Sequence, residues 1–412
     1  QEKVPPRSVT MDFAEKPPEK QALPEEIRAF RTYTSLTQYP EGYFLSNNSY
    51  TVMLTQYGTG FSAYHGNLIS RWDSDVLRRS PGIHVYIKDT DTGAVWSATL
   101  LPTCLLADKE RVTFEPHQAT FVREVGELET TLTVCVSPEC PMEIRSLSIR
   151  NGGESARRLT VTCALTPVLC TERDFEAHPA FAELFVQAHA HPEKRMVTAM
   201  RRGRTLCCAL KAVTDGPVEL MTDRAYIYGR RNVFGPPACL VAPGSEHDVT
   251  HAAGVRCNVT VEAGCTEEVT FLVAAGDSPE AVEQCILSVS GPEDVRRVFH
   301  LAWTHAQVEM RYLKLDGSQA NLFQRIASRT VIRIPAKCPA VGTPGGRETL
   351  WKLGLSGDLP IIFVHAKSED SLPNVRTIAK AQEFLSLKGL PADLVIVYEG
   401  GDAYICPLRD KL

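Results

Sequence analysis

A succession of short strand-like segments between residues 36 and 275 limits what this chain can fold into. Apolar and polar residues alternate along many of them, as in the run Leu132, Val134 and Val136. Such period-two patterns indicate strands with one buried face. Turn sequences such as Asn151–Gly153 separate the segments. Many short strands joined by turns predict a mainly β fold, a large antiparallel β-sandwich.

The stretch Phe44–Asp75 holds the first hairpin that the sequence predicts. Tyr50–Tyr57 has the alternation of a strand, and a turn containing glycines follows it. Phe61–Ile69 is predicted to be the return strand. We expect this strand pair to lie at the start of the sandwich.

A cation, a large aromatic side chain and two carboxylates follow the hairpin, namely Arg71, Trp72, Asp73 and Asp75. A tryptophan ring can cover the apolar face of a sugar, and charged groups hydrogen-bond sugar hydroxyls. The cluster is therefore a candidate sugar site. The alternative is structural, with Trp72 at the end of a strand and an Arg–Asp pair over it. Composition alone favours this structural alternative.

The residue pattern changes on both sides of the sandwich. Residues 1–35 carry many prolines and charges and predict an arm or linker. Residues 36–275 are the predicted supersandwich, and residues 276–334 change to helical spacing and predict linker helices. Residues 335–412 predict a junction with a parallel unit of strand, helix and strand, whose two strands are buried. Two strands do not make a stable sheet alone, so we expect this last part to be truncated.

Composition excludes several classes of function. The chain has 412 residues and a net charge of −5, which argues against nucleic acid as a partner. No apolar run approaches the roughly 18 residues of a transmembrane helix. The 13 cysteines show no C-x-x-C spacing. We therefore expect free thiols, a reducing cytoplasmic location and no metal site.

The sequence contains no convincing catalytic set. The G-x-S-x-G elbow, the P-loop and the dinucleotide fingerprint are absent. Carboxylate pairs such as Asp73 and Asp75 fall in predicted turns, where solvated aspartate is common. His178 follows Asp174 and Glu176 and is a candidate sugar contact, with capping of a turn as its structural alternative.

Eight short stretches, in order along the chain, resemble the N-terminal part of the glycoside hydrolase family 94 phosphorylases, formerly glycosyltransferase family 36. The likeness is to the branch of 1,2-β-oligoglucan phosphorylases and cyclic β-1,2-glucan synthases. The stretches are Phe44–Tyr50, Val52–Thr55, Ser70–Asp75, Val95–Pro102, His178–Val186, Arg201–Arg204, Leu301–Val308 and Leu355–Ile361. Asn48 stands where the family usually has glycine, and Ser49 and His305 stand where it usually has arginine.

The resemblance implies a β-supersandwich, a helical linker and then an (α/α)6 barrel with the active site. In such enzymes inorganic phosphate attacks the anomeric carbon with inversion, while one aspartate acts as general acid. The resemblance places that aspartate in a barrel beyond Leu412, so we expect no catalytic residue and no activity in this chain alone. Asp358 is interpreted as a turn residue rather than as that acid.

Two function hypotheses follow for the chain. In the first, it is the sandwich and linker of a phosphorylase acting on β-1,2-glucan oligosaccharides, with phosphate as co-substrate, no cofactor, and a homodimeric assembly. Its substrate contacts would be Arg71, Trp72, Asp75 and His178. In the second, it is a non-catalytic carbohydrate-binding or assembly module. A variant of the first places it inside a membrane-bound cyclic β-1,2-glucan synthase.

Overall fold

The computed structural model describes residues 27–73, 82–229, 235–241, 249–332 and 345–398. Its strands are β1 (Arg31–Tyr33), β2 (Gly42–Ser46), β3 (Tyr50–Thr55), β4 (Gly60–Tyr64), β5 (Asn67–Ser70), β6 (Ile83–Asp89), β7 (Val95–Ser97), β8 (Lys109–Glu115), β9 (Gln118–Val125), β10 (Leu128–Val136), β11 (Met142–Asn151), β12 (Arg157–Leu165), β13 (Val186–His191), β14 (Met196–Arg201), β15 (Cys207–Val213), β16 (Val218–Asp223), β17 (His251–Val261), β18 (Thr266–Gly276), β19 (Ile361–Ala366) and β20 (Asp393–Tyr398).

Helices flank and follow these strands. They are α1 (Glu172–Ala177), α2 (Pro179–Leu184), α3 (Arg224–Tyr228), α4 (Ala238–Val241), α5 (Pro279–Leu287), α6 (Pro292–Tyr312), α7 (Gly317–Val331), α8 (Arg347–Trp351) and α9 (Leu372–Leu387). Short 3₁₀ turns lie at Pro192–Lys194 and Glu369–Ser371. The fold is mainly β, as the sequence predicts.

Within the described residues the strands form four sheets. The large sheet has nine strands in the order β1-β8-β9-β10-β11-β18-β15-β14-β13, and the second sheet has five in the order β16-β17-β12-β6-β7. The hairpin sheet is β2-β3-β4-β5, and the terminal sheet is β19-β20. The first three are antiparallel throughout. Neighbouring strands are mostly consecutive in sequence, which is typical of an antiparallel sandwich.

One continuous apolar core lies between the large, second and hairpin sheets. The large sheet contributes side chains such as Phe121 and Val134, and the second sheet contributes Val161. Leu45 and Val52 enter the same core from the hairpin sheet. The alternate residues of the predicted strands therefore meet across the sandwich, as the period-two pattern requires.

The hairpin sheet differs from its prediction in two ways. The predicted return strand is two strands, because His65 and Gly66 adopt positive φ angles of 45° and 76° and turn the chain between β4 and β5. Its strands β2 and β3 are also buried on both faces. The alternating pattern of Tyr50–Tyr57 predicts a single buried face for this strand. Asn48, in place of the family's usual glycine, has a φ of 74°, a conformation that asparagine tolerates better than most residues.

The helical part begins where the sequence predicts. Ser278 caps α5 by accepting a hydrogen bond from the backbone N–H of Ala281, and Pro279 is the first helical residue. Helices α5 and α6 pack on the outer face of the large sheet through an apolar cluster that includes Ile144 and Ile286. The sandwich is thus covered by helix on one side.

Helix α7 seals the edge strand of the hairpin sheet. The side-chain amide of Gln324 accepts a hydrogen bond from the N–H of Phe44 and donates one to its carbonyl, both at 2.9 Å. The hydroxyl of Ser328 accepts from the N–H of Gly42 at 2.8 Å. An edge strand has unpaired backbone groups, and these side chains satisfy them.

The C-terminal unit is parallel, as predicted, but less buried. Strands β19 and β20 pair in parallel, and α9 connects them. The prediction of buried strands is wrong for both, because Phe363 of β19 is 63% exposed and only its Ala366 is buried, and no residue of β20 is buried. Trp351 of α8 is also 58% exposed. Asp358 lies in a bend and pairs with Arg347 at 3.3 Å between Oδ1 and Nη1.

Several elements were not predicted from the sequence. They include β1, which pairs with β8 at the edge of the large sheet, and the short helices α1 to α4. Residues 1–26, most of the predicted arm, lie outside the described residues. The division into arm, sandwich, linker and junction stays a prediction.

Candidate functional site

The end of β5 meets a segment that is distant in sequence. Residues 168–170 follow β12 and run antiparallel to β5, with the N–H of Leu68 donating to the carbonyl of Cys170 at 2.8 Å. Helix α1 starts immediately afterwards, capped by the side chain of Thr171. The first turn of α1 therefore lies beside Arg71, the residue that follows β5.

Arg71 binds two carboxylates at once. Its Nη1 lies 2.7 Å from Oδ2 of Asp73, and its Nη2 lies 2.9 Å from Oε1 of Glu172. The Nε of Arg71 also donates to Glu172 at 3.0 Å. Burial disfavours the charge of Arg71, but the hydrogen bonds to Glu172 and Asp73 outweigh it and raise the pKa of the guanidinium above its ordinary value.

The guanidinium is also held from one side by an aromatic ring. Its central carbon lies 4.7 Å from the ring centre of Phe175, a buried residue of α1. The protein contacts of Arg71 thus use three of its five N–H groups and one of its faces. We infer that Arg71 orients the carboxylates of Asp73 and Glu172.

Trp72 is half-buried against the helical side of the hairpin sheet. It packs on an apolar cluster that includes Phe44, Met53 and Phe323. Its indole Nε1 is buried and has no hydrogen-bond partner among the described residues. A buried N–H normally finds an acceptor. Because Nε1 is closed off from solvent, Trp72 presents its ring carbons to the space beside it.

A cavity of about 420 Å³ lies beside these residues. Its volume falls in the range of about 300–1,000 Å³ that small-molecule sites occupy. We call it the Trp72 cleft. Side chains of the hairpin sheet, α1 and the end of α7 line it: Phe61, Leu68, Arg71, Trp72, Asp73, Glu172, Glu176, Thr330 and Val331.

The wall of the Trp72 cleft is acidic. Among its described lining residues, Arg71 supplies one positive charge, and Asp73, Glu172 and Glu176 supply three negative ones. Glu172 and Glu176 are four residues apart and project from the same side of α1. An excess of two carboxylates accepts hydrogen bonds from hydroxyl groups and repels anions such as phosphate.

The structure brings together some of the predicted contacts. Arg71 and Trp72 line the same cleft. His178 lies at the end of α1, is exposed, and stands edge-on to the ring of Phe181, outside the described lining of the cleft. Asp75 lies outside the described residues. The Arg71–Asp73 pair of the structural alternative is present.

Glu172 and Glu176 were missed by the sequence analysis. Glu172 is 101 residues from Arg71, and only the pairing of residues 168–170 with β5 brings them together. A weak signal was available, since Thr171 followed by acidic residues is a typical helix start. The position of Glu172 and Glu176 on one face of that helix could then be predicted, but their contact with Arg71 could not.

The described residues contain no group of three or more His, Cys, Asp or Glu side chains arranged to hold a metal ion. In the same part of the chain, no helix combines the length and apolar character needed to cross a membrane.

A sandwich with an acidic and aromatic cleft can bind a neutral ligand that is rich in hydroxyl groups, such as a sugar. The chain belongs to the family of glycosyl hydrolase 94, whose supersandwich domain matches residues 26–292. The match covers the strands of the three antiparallel sheets and continues into the first helices of the linker.

A curated relative carries the name cyclic beta-(1,2)-glucan synthase NdvB, from Rhizobium meliloti (strain 1021). It is 28% identical over 438 residues, which cover 100% of this chain and 15% of that protein. The chain therefore spans a small part of the curated relative that it matches.

Solved structures with a similar fold are distant. A bacterial glucoamylase complexed with acarbose covers 73% of this chain and 44% of its own, at 10% identity and a TM-score of 0.44. A galactose mutarotase related enzyme from Lactobacillus acidophilus covers 58% of this chain and 98% of its own, at 8% identity and a TM-score of 0.35. Neither likeness bears on the function of this chain.

Proposed function

We propose that this chain is the sandwich and linker part of a phosphorylase or glucan synthase that acts on β-1,2-linked glucan. The Trp72 cleft is its glucan contact. The observation that carries the proposal is the membership of the family, together with a relative named for cyclic β-(1,2)-glucan synthesis that aligns with the whole chain. The proposed reaction is inverting phosphorolysis to α-glucose 1-phosphate.

The chemistry of the Trp72 cleft supports a neutral sugar as its ligand. Glucose units offer many hydroxyl donors, which suit the carboxylates of Asp73, Glu172 and Glu176. The ring of Trp72 offers an apolar face on which a sugar ring can stack.

Phosphate does not fit the same cleft. An anion-binding site needs an excess of cations or free backbone N–H groups, and the described wall has an excess of carboxylates. Phosphate and the general acid therefore belong to another part of the enzyme. In this proposal the Trp72 cleft contributes glucan binding and no bond-breaking step.

The reaction is tested with the full-length gene product and β-1,2-gluco-oligosaccharides such as sophorose homologues. We expect phosphate-dependent release of α-glucose 1-phosphate. Cello-oligosaccharides, which share the sugar but differ in linkage, are the matched control. Turnover that is independent of phosphate would reject phosphorolysis, and turnover only with the control would reject the β-1,2 linkage.

The role of the cleft is tested in the same enzyme with Glu172→Gln and Glu176→Gln. Loss of acceptor strength should raise KM for glucan and leave kcat nearly unchanged, since the cleft binds but does not react. An equal fall of kcat with constant KM would contradict this role. Exposed Glu267 on β18 supplies the control variant Glu267→Gln.

A purely binding or assembly role is the second candidate, and one observation favours it. Two of the three carboxylates that line the cleft among the described residues are paired with Arg71, which suits them to hold a ligand as fixed hydrogen-bond acceptors. In that case glucan binds at the cleft of the full-length protein, but neither phosphate nor glucose 1-phosphate is turned over.

The remaining parts of the proposal concern organisation. We propose the boundaries 1–35, 36–275, 276–334 and 335–412 for arm, sandwich, linker and junction, with limited proteolysis as the test.

A cytoplasmic location agrees with the free state of the eleven cysteines in the described part of the chain. A homodimer and a C-terminal barrel are proposed from the family resemblance, and light scattering on the full-length protein tests the dimer.

A further inference from the structure

An exposed apolar surface lies on α2, the helix that follows α1 along the chain. His178 ends α1 and precedes Pro179, the first residue of α2, so the two short helices meet at this histidine. Helix α2 and the residue after it then expose three large apolar side chains: Phe181 is 57% exposed, Leu184 46% and Phe185 39%. We call His178, Phe181, Leu184 and Phe185 the α2 platform.

The aromatic rings of the α2 platform support one another. The ring centres of Phe181 and Phe185 are 6.1 Å apart, and their planes are inclined by only 21°, so the two rings are stacked. The imidazole of His178 stands edge-on to Phe181, with 6.1 Å between the ring centres. Phe181 therefore has two aromatic neighbours, and its exposed surface has a defined orientation.

The end of β14 anchors the platform to the large sheet. The central carbon of the Arg201 guanidinium lies 5.7 Å from the centre of the Phe185 ring. Its Nη1 also donates to the carbonyl of Ala182 at 2.9 Å. The backbone N–H of Arg202 donates to the carbonyl of Phe185 at 2.8 Å. The platform is thus fixed before a ligand arrives, and little ordering is needed for binding.

The α2 platform and the Trp72 cleft share one support. Ala182, on the inner side of α2, is 1% exposed and packs in an apolar cluster with Leu68 and Phe61. Phe61 and Leu68 also line the Trp72 cleft. The two surfaces therefore keep a constant position relative to each other.

Helix α1 leads from the cleft to the platform. Glu176 lines the cleft, and His178 follows it by two residues at the end of α1. His178 in turn stands beside the ring of Phe181. A chain-like ligand that leaves the cleft at Glu176 thus meets His178 and then Phe181.

The size and charge of the platform favour a small neutral ligand over a protein. A whole aromatic side chain buries about 150–250 Å², so three partly exposed apolar side chains offer on the order of 300 Å². A stable protein–protein interface covers about 800 Å² on each partner. Asp174, the exposed carboxylate of α1 nearest in sequence to the cleft residue Glu176, is paired with Arg204 at 3.4 Å.

A sugar ring has the chemistry that this surface can bind. One face of a glucose ring carries C–H groups that pack on an aromatic ring, and its hydroxyl groups point outward. The ring nitrogens of His178 can donate to such hydroxyls or accept from them. The Trp72 cleft also combines an aromatic ring with hydrogen-bonding groups. The cleft and the platform therefore suit the same kind of ligand.

We propose that the α2 platform is a second glucan subsite, which binds glucose units of a chain whose other units occupy the Trp72 cleft. The inference rests on the proposed function, because the ligand class of the cleft is taken from there. It adds that this part of the protein distinguishes glucans by length. A disaccharide occupies the cleft alone, whereas a longer chain also covers Phe181.

Calorimetric titration of the full-length protein with sophorose and with a long β-1,2-gluco-oligosaccharide tests the proposal. We expect Phe181→Ala to weaken binding of the long oligosaccharide by about 10-fold, because the exposed ring no longer packs on a sugar. The affinity for sophorose should not change. Phe363→Ala is the matched control, since Phe363 of β19 is 63% exposed and should affect neither affinity.

The outcomes separate this inference from the proposed function. A parent protein that binds neither sugar rejects the glucan function and the subsite together. A parent that binds both sugars, with affinities that Phe181→Ala leaves unchanged or weakens equally, rejects the subsite alone. If Phe181→Ala instead changes only the mass of the assembly in light scattering, the platform is a protein interface and the proposal is overturned.

Hydroxyl-radical footprinting of the parent protein tests the same inference without a variant. Phe181 and Phe185 should be protected from oxidation by the long oligosaccharide and not by sophorose. Exposed Phe363 should be oxidised equally with both sugars, which controls for radicals that the sugar consumes. A long oligosaccharide that binds without protecting Phe181 would refute the second subsite.

Discussion

The contact between Gln324 and the edge strand β2 gives the sharpest stability prediction. Gln324→Met keeps the length of the side chain but removes both hydrogen bonds to Phe44, whose N–H and C=O lie 2.9 Å from the amide. Gln324 is 3% exposed, so water does not replace the lost partner. Each buried backbone group left without a partner costs about 1–3 kcal/mol, and the thioether recovers some apolar burial, so we expect a loss of about 2–4 kcal/mol.

Urea unfolding followed by tryptophan fluorescence measures this loss. The midpoint should fall while the slope stays constant, since the native fold is kept. Arg329→Met places the same side chain at an exposed site of α7 and should change stability by less than about 0.5 kcal/mol. If the two variants unfold at the same urea concentration, the hydrogen bonds of the Gln324 amide do not stabilise the edge strand β2, and the reasoning is wrong.

Three further changes test other parts of the structure. Glu143→Gln leaves the buried guanidinium of Arg145 without the carboxylate 2.7 Å away, so we expect a loss of about 3–5 kcal/mol in urea unfolding; near-parent stability would contradict this. Gly60→Ala drives a methyl group into the carbonyl oxygen of Met53, and we expect a loss of at least about 1–3 kcal/mol; an unshifted midpoint would show that the strand can adapt. The Cys285 side chain lowers the pKa of Cys140 to about 7, so Cys140 should alkylate with a midpoint below the roughly 8.5 of an ordinary thiol and lose reactivity as the pH falls below that lowered pKa; a midpoint at or above 8.5 would contradict this.

Much of the fold could be predicted because local patterns determine it. The alternating run Leu132, Val134 and Val136 lies in β10 with its side chains in the core, and the helix start at Ser278 depends on cap chemistry that is visible in the sequence. Strand β2 was not predicted, since Gly42–Ser46 is buried on both faces and shows no alternation. The burial of β19 was predicted incorrectly because an apolar run alone does not show what covers it.

Only half of the candidate site could be predicted from the sequence. Arg71 and Trp72 are adjacent, so their cluster is visible as a motif. Glu172 reaches Arg71 only through the bridge between Leu68 and Cys170, a contact between segments about a hundred residues apart. Sequence patterns give the period of each element and its caps, but not which distant elements become neighbours.

Glucan binding by the Trp72 cleft is the central claim, and Trp72→Phe tests it most directly. The change keeps an aromatic ring but reduces the ring surface that faces the cleft. Trp96→Phe is the matched control, since the same change is made at a tryptophan that lies in the sandwich core. Calorimetric titration of the full-length protein with β-1,2-gluco-oligosaccharides measures the affinity. We predict that Trp72→Phe weakens binding by about 10-fold, because the smaller ring loses apolar contact with the sugar worth about 1.4 kcal/mol, and that Trp96→Phe does not. Equal affinities of the parent and both folded variants would contradict the claim.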